Sequence, residues 1–82
     1  MKITAQEEYG LRCLLQLARA PQHQVVSVKA IAAREVLSSA YAEKLLRILS
    51  KAGLVHSLRG LRGGYVLNRP AASITLGEVV RA

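Results

Sequence analysis

Residues 38–67 read SSAYAEKLLRILSKAGLVHSLRGLRGGYVL, and this stretch decides the fold. Its first half has the periodicity of a helix with two faces. Tyr41, Leu45, Ile48, Leu49 and Ala52 recur at helical spacing and predict a buried stripe. Ala40, Lys44, Arg47 and Lys51, spaced by four, three and four, fall on the other side. Ser38 is placed to cap the helix, and Gly53 to close it in the left-handed conformation, over about residues 39–52. Beyond Gly53 the character changes. Leu54–Leu58 and Tyr65–Leu67 read as strands, joined by Arg59-Gly60-Leu61-Arg62-Gly63-Gly64. The expectation is a hairpin with a glycine-rich basic tip, a wing over 54–67, in which Gly63 and Gly64 supply positive φ.

Upstream, Ser27 is placed to cap a short helix over 28–35, and Val36-Leu37 makes an apolar turn into Ser38. Two helices joined by so short a turn, the second with a basic outer face, describe a helix-turn-helix. Thr4-x-x-Glu7 is a capping box opening a first helix over about 5–20, with Leu11, Leu14, Leu15 and Ala18 as its apolar stripe and Pro21 as its stop. Val25-Val26 is long enough only for a short strand or an extended link. Downstream, Asn68-Arg69-Pro70 breaks the second strand, and Thr75-x-x-Glu78 is a second capping box with Ile74 and Val79 as its hydrophobic staple. The sequence leaves this last helix, from residue 76, only about two turns. So short a helix is marginal unless packed. The expectation is therefore the start of a truncated dimerisation helix in a longer protein. The predicted fold is mainly α with a small β-hairpin, a winged helix-turn-helix occupying residues 1–82.

At 82 residues the chain has room for one core. Leu, Ile and Val make up 25 of these positions, enough to drive folding rather than disorder. The longest unbroken apolar run, Ala30–Ala33, is far too short to cross a bilayer, and no apolar segment follows Met1-Lys2 as in a signal peptide. A soluble, cytoplasmic domain is expected, with no membrane partner. The net charge of +7 is segregated. Residues 1–43 carry five basic and four acidic side chains, whereas residues 44–82 carry seven and one. Such an excess attracts a polyanion.

Catalysis finds little support. His23 and His56 have no paired spacing, and the lone Cys13 lies beside an apolar stripe, where an inert buried thiol is the default. Glu7 and Glu8 are adjacent and point apart on a helix, so they cannot act on one substrate atom. The glycine-rich stretch has no Gly-Lys-Ser/Thr and does not lead from a strand into a helix, so it is no nucleotide-phosphate loop. No enzyme and no metal site within this chain are expected.

DNA fits better. A major groove admits one helix, whose first turn meets base edges while cations further along meet phosphates. Ser38, Ser39, Tyr41 and Glu43 lie at or near the first turn, and Glu43 can accept from cytosine N4. Against this, Ser38 can simply cap, Tyr41 pack and Glu43 pair with Arg47. Lys44, Arg47 and Lys51 are assigned to phosphates, and Arg59 and Arg62 to a narrow minor groove. The main alternative is a winged-helix protein–protein interaction module whose basic face is merely solvated. An RNA-binding domain is the weaker rival, because no exposed aromatic pair offers bases a stacking surface.

The pattern Tyr41-(x)3-Leu45-Leu46-(x)2-Leu49-(x)2-Ala52-Gly53-Leu54-Val55-x-Ser57-x-Arg59-Gly60-(x)2-Gly63-Gly64-Tyr65-x-Leu67 resembles the Rrf-two family of bacterial winged helix-turn-helix transcriptional regulators, and the opening Met1–Thr4 and Ile74-Thr75-Leu76 extend the match across the chain. The resemblance implies a homodimer bound to a double-stranded DNA operator, with a repressor as the expectation. It places Ser38, Tyr41 and Glu43 on the recognition helix and Arg59 on the wing. Ala40 stands where the iron–sulfur-assembly branch has a hydroxyl, which implies a different operator preference. Cluster-binding branches hold an iron–sulfur cluster on cysteines beyond the winged domain, so a cofactor is implied only for the full-length protein. Glu8 matches an acidic first-helix residue that redox-sensing members use to ligate the partner's cluster. By its own sequence context it is a solvated glutamate beside a capping box.

Overall fold

The computed structural model describes residues 3–21, 24–58 and 63–82. Helix α1 (Ala5–Arg19) begins at Thr4, whose hydroxyl accepts from the Glu7 N–H at 3.1 Å while Glu7 Oε1 accepts from the Thr4 N–H at 2.8 Å. It ends where the residue before Pro21 is forced out of helical geometry, with Ala20 extended at ψ 152°. Helix α2 (Val28–Glu35) is capped by Ser27, and α3 (Ser39–Lys51) by Ser38, each hydroxyl accepting the third N–H of its helix at 3.1 Å. After α3 come strands β1 (Val55–Leu58) and β2 (Gly64–Leu67), a single 3₁₀ turn at Ala71–Ser73, and α4 (Leu76–Arg81). The Thr75–Glu78 capping box of α4 is formed in both directions.

Helices α2 and α3 end in the same closure, made by different residues. Gly53, at φ 79°, lets its own N–H reach the Ser50 carbonyl at 3.0 Å and the Leu54 N–H reach that of Leu49 at 3.1 Å. This double closure turns the chain straight into β1. At the end of α2 the same closure is made by Val36, at φ 55° and ψ 49°, a left-handed position occupied by a β-branched side chain that is 90% exposed.

The strands pair antiparallel, with Val55 opposite Leu67 and Ser57 opposite Tyr65. Val26 joins them on the other side of β2: its N–H donates to the Tyr65 carbonyl at 3.0 Å and its carbonyl accepts from the Tyr65 N–H at 2.9 Å. The Val25-Val26 link thus closes a three-stranded corner centred on β2. Gly64 is not at positive φ, contrary to the sequence expectation. It is glycine because a Cβ there would stand 2.2 Å from the Val26 carbonyl oxygen.

The core gathers Cys13, Leu14 and Leu17 of α1, Ile31 of α2, Leu45, Leu46 and Leu49 of α3, then Leu54, Val55, Tyr65 and Val79. Two predicted stripes are rotated from their expected faces. On α1, Gly10, Cys13, Leu14 and Leu17 are buried and Leu15 is exposed. On α3 the buried set is Ala42, Leu45, Leu46 and Leu49, with Tyr41 and Ile48 half-buried and Ala52 exposed. The reason is that α3 is gripped from two sides, by α1 and α2, so its core face is wider than one stripe.

Candidate nucleic-acid interface

Turning Ala42 and Leu46 inward leaves Ala40, Lys44, Arg47 and Lys51 together on the exposed side of α3. Ser38, Ser39 and Ala40 are exposed at its N-terminus, although the Ser38 hydroxyl is already engaged as the cap. Tyr41 is half-buried and meets Tyr9 of α1 edge to face, with ring centroids 6.3 Å apart. Arg59 and Arg62 lie outside the described residues.

A groove separates α3 from the hairpin, and Glu43, Arg47, Lys51, Ser57, Gly64 and Tyr65 are among its walls. Glu43 Oε1 sits 3.6 Å from Arg47 Nε and accepts a hydrogen bond from the Tyr65 hydroxyl at 3.2 Å. Burial, and after it the Glu43 carboxylate, raises the Tyr65 pKa above the ordinary phenol value. The phenol is therefore a proton donor throughout the neutral range. Sequence reasoning missed this tyrosine, because nothing local ties residue 65 to residue 43.

A second polar assembly joins α1 to the end of α2. Arg12 lies 3.2 Å from Glu8 and 3.9 Å from Glu35, and its guanidinium sits over the Tyr9 ring, 5.5 Å from the centroid. Gln16 donates to Glu35 as well. Glu8 is thus a half-exposed helix-face carboxylate engaged by its own i+4 arginine. Cys13 is wholly buried nearby, and burial, followed by the Glu35 charge, pushes its thiol up to about 11. A thiol so disfavoured as thiolate is inert at neutral pH.

A short turn between α2 and α3, a basic outer face on α3 and an antiparallel hairpin packed behind it define a winged helix-turn-helix. The Rrf2 family, described as "Iron-dependent Transcriptional regulator", matches residues 3–82, and the chain belongs to this family. Protein rrf2 of Nitratidesulfovibrio vulgaris is 46% identical over 82 residues, covering 100% of this chain and 55% of its own length. Among solved structures, CymR, the global cysteine regulator of B. subtilis, superposes with a TM-score of 0.92 at 41% identity, covering 99% of this chain and 63% of that one. IscR of T. potens gives 0.88 at 41% identity, covering 99% and 59%. The chain therefore spans a little over half the length of such relatives. They are transcriptional regulators, not enzymes.

The family description names iron, and the described residues do not make a site for it. Among them no three His, Cys, Asp or Glu side chains converge as metal ligands. Cys13 is sealed in the core, and Glu8, the one ligand the resemblance implies, is an exposed carboxylate paired with Arg12. No helix of the described residues is long and apolar enough to cross a membrane.

Proposed function

We propose that these residues form the operator-reading domain of a cytoplasmic transcriptional regulator that acts as a homodimer, as a repressor. Helix α3 enters the major groove and the hairpin tip, with Arg59 and Arg62, reaches the adjacent minor groove. The observation that carries this reading is the alignment of Lys44, Arg47 and Lys51 on one exposed face beside the groove to the hairpin. Cations at these spacings track a phosphate backbone, while Ser38, Ser39 and Glu43 sit closer to the helix start, where base edges are met. Any iron–sulfur sensing belongs to residues outside this chain, with Glu8 the single ligand it would lend.

Titration of duplex DNA at several salt concentrations tests the proposal against a protein-interaction module. A DNA-binding face gives log K falling linearly with log salt, by about 0.9 per phosphate neutralised. A solvated face gives neither appreciable affinity nor such a slope.

A further inference from the structure

The groove between α3 and the hairpin contains one buried tyrosine whose only polar side-chain atom is aimed at the recognition helix. Tyr65 is 5% exposed; its N–H and carbonyl both bond Val26, and it lies opposite Ser57 in the ladder that pairs β2 with β1. Its position therefore does not depend on anything α3 does at the surface. Glu43 and Arg47 are the opposite: their side chains are 35% and 70% exposed, and their ion pair is an ordinary i,i+4 surface contact. Such a pair by itself holds neither partner in one rotamer. The hydroxyl of Tyr65 adds a contact from a rigid element to the same oxygen, Oε1, that faces Arg47. Oε1 accepts from Tyr65 and lies beside Arg47, whereas Oε2 has no such partner among the described residues and can accept from a base.

We propose that Tyr65 is a positioning residue for sequence recognition: its hydroxyl fixes the Glu43 carboxylate, and through it Arg47, so that Glu43 reads a base edge instead of sampling several rotamers. This inference deepens the DNA-reading role proposed for Glu43 and rests on it. A recognition side chain locked by a contact from a neighbouring element discriminates better than a free one, because a free one can adapt to the wrong base. The hairpin thereby contributes to specificity from strand β2, behind its tip.

Tyr65→Phe removes the hydroxyl and keeps the ring in the core. The test compares wild type, Tyr65→Phe, Glu43→Ala and the double variant of the full-length protein, by selection from a randomised duplex library and by binding to the preferred site and its single-base variants. Far-UV circular dichroism and thermal melting establish that each is folded. Glu43→Ala is expected to flatten preference at one or two base pairs. Tyr65→Phe is expected to flatten the same positions, with about a tenfold loss of discrimination, the size expected of a hydrogen bond to a charged group. The double variant should be no flatter than Glu43→Ala alone. A structural role for the hydroxyl would instead weaken all sequences equally and leave the preferred bases unchanged, which overturns the proposal, as does a Tyr65→Phe protein that does not fold. If Tyr65→Phe keeps the full preference while Glu43→Ala loses it, Glu43 reads DNA unaided and only the Tyr65 role is lost. If Glu43→Ala changes nothing, both readings fall.

Discussion

Gly64 and Val26 approach so closely that no side chain fits between them: a Cβ on Gly64 would lie 2.2 Å from the Val26 carbonyl oxygen and 2.9 Å from the Ser27 Cα. Both obstacles are backbone, and both belong to the segment that caps α2. Strand β2 and the helix-turn-helix are thus locked together at this point. Gly64→Ala is expected to cost about 2–3 kcal/mol, as overpacking against an unyielding wall does. For a domain of this size that lowers Tm by roughly 10 °C or more. A variant melting within 3 °C of wild type, a margin set by roughly 0.5 kcal/mol on the same scale, would show that the two segments part easily.

Val36 invites the reverse change. Its left-handed backbone costs a β-branched residue about 1–2 kcal/mol, and at 90% exposure its side chain gains little in return. Glycine relieves the strain and gives back part of it through the entropy of the unfolded chain. Val36→Gly should therefore raise stability by roughly 0.5–1 kcal/mol, read as a higher urea midpoint at unchanged m-value. A loss of stability would mean that the valine has a contact its exposure conceals.

Lys44 and Arg47 differ in their surroundings, and DNA binding should reveal it. Each alanine substitution should lower the salt slope by about 0.9, and Lys44→Ala should weaken all sequences alike. Arg47→Ala should in addition disturb base preference, because Arg47 lies against Glu43. Lys44→Ala should not. An unchanged slope for either variant removes that residue from the phosphate contacts.

The thiol of Cys13 gives a signed pH dependence. Its pKa rises from 9.0 to about 11 in the folded protein, so between those values the native state holds a proton that the unfolded chain releases. Its contribution is complete below pH 9 and is lost as pH climbs towards 11, at up to about 1.4 kcal/mol per pH unit. Cys13→Ala should flatten the denaturation profile in that window. In the folded wild type at pH 8, a thiol reagent should react at the rate of global unfolding; fast labelling would contradict the sealed environment.

Glu8 carries the test of the proposed iron–sulfur sensing. Its ion pair with Arg12 is half-exposed, so Glu8→Ala should change the stability of the domain by less than about 0.5 kcal/mol. If the full-length protein, purified without oxygen, has a cluster absorbance that bleaches faster in Glu8→Ala, this carboxylate is a ligand. An indifferent spectrum leaves it a surface glutamate.

What could be read from the sequence is what the chain settles over three or four residues. The hydroxyls of Thr4, Ser27, Ser38 and Thr75 meet N–H groups three positions ahead, and Gly53 closes its own helix, so helix ends and the hairpin were legible before any packing was known. The basic face of α3 was legible too, because Ala40, Lys44, Arg47 and Lys51 share one side of a single helix. Which leucines face inward was not. Leu15 is 40% exposed while Cys13 is sealed, because neighbouring helices, and not periodicity, choose the buried arc. The tertiary structure alone decided that Val26 pairs with Tyr65, that Gly64 must lack a Cβ, and that the Tyr65 hydroxyl reaches Glu43 across 22 positions of sequence. Those contacts exist only once β2 is folded back between β1 and the α2 cap, and no spacing along the chain encodes that return.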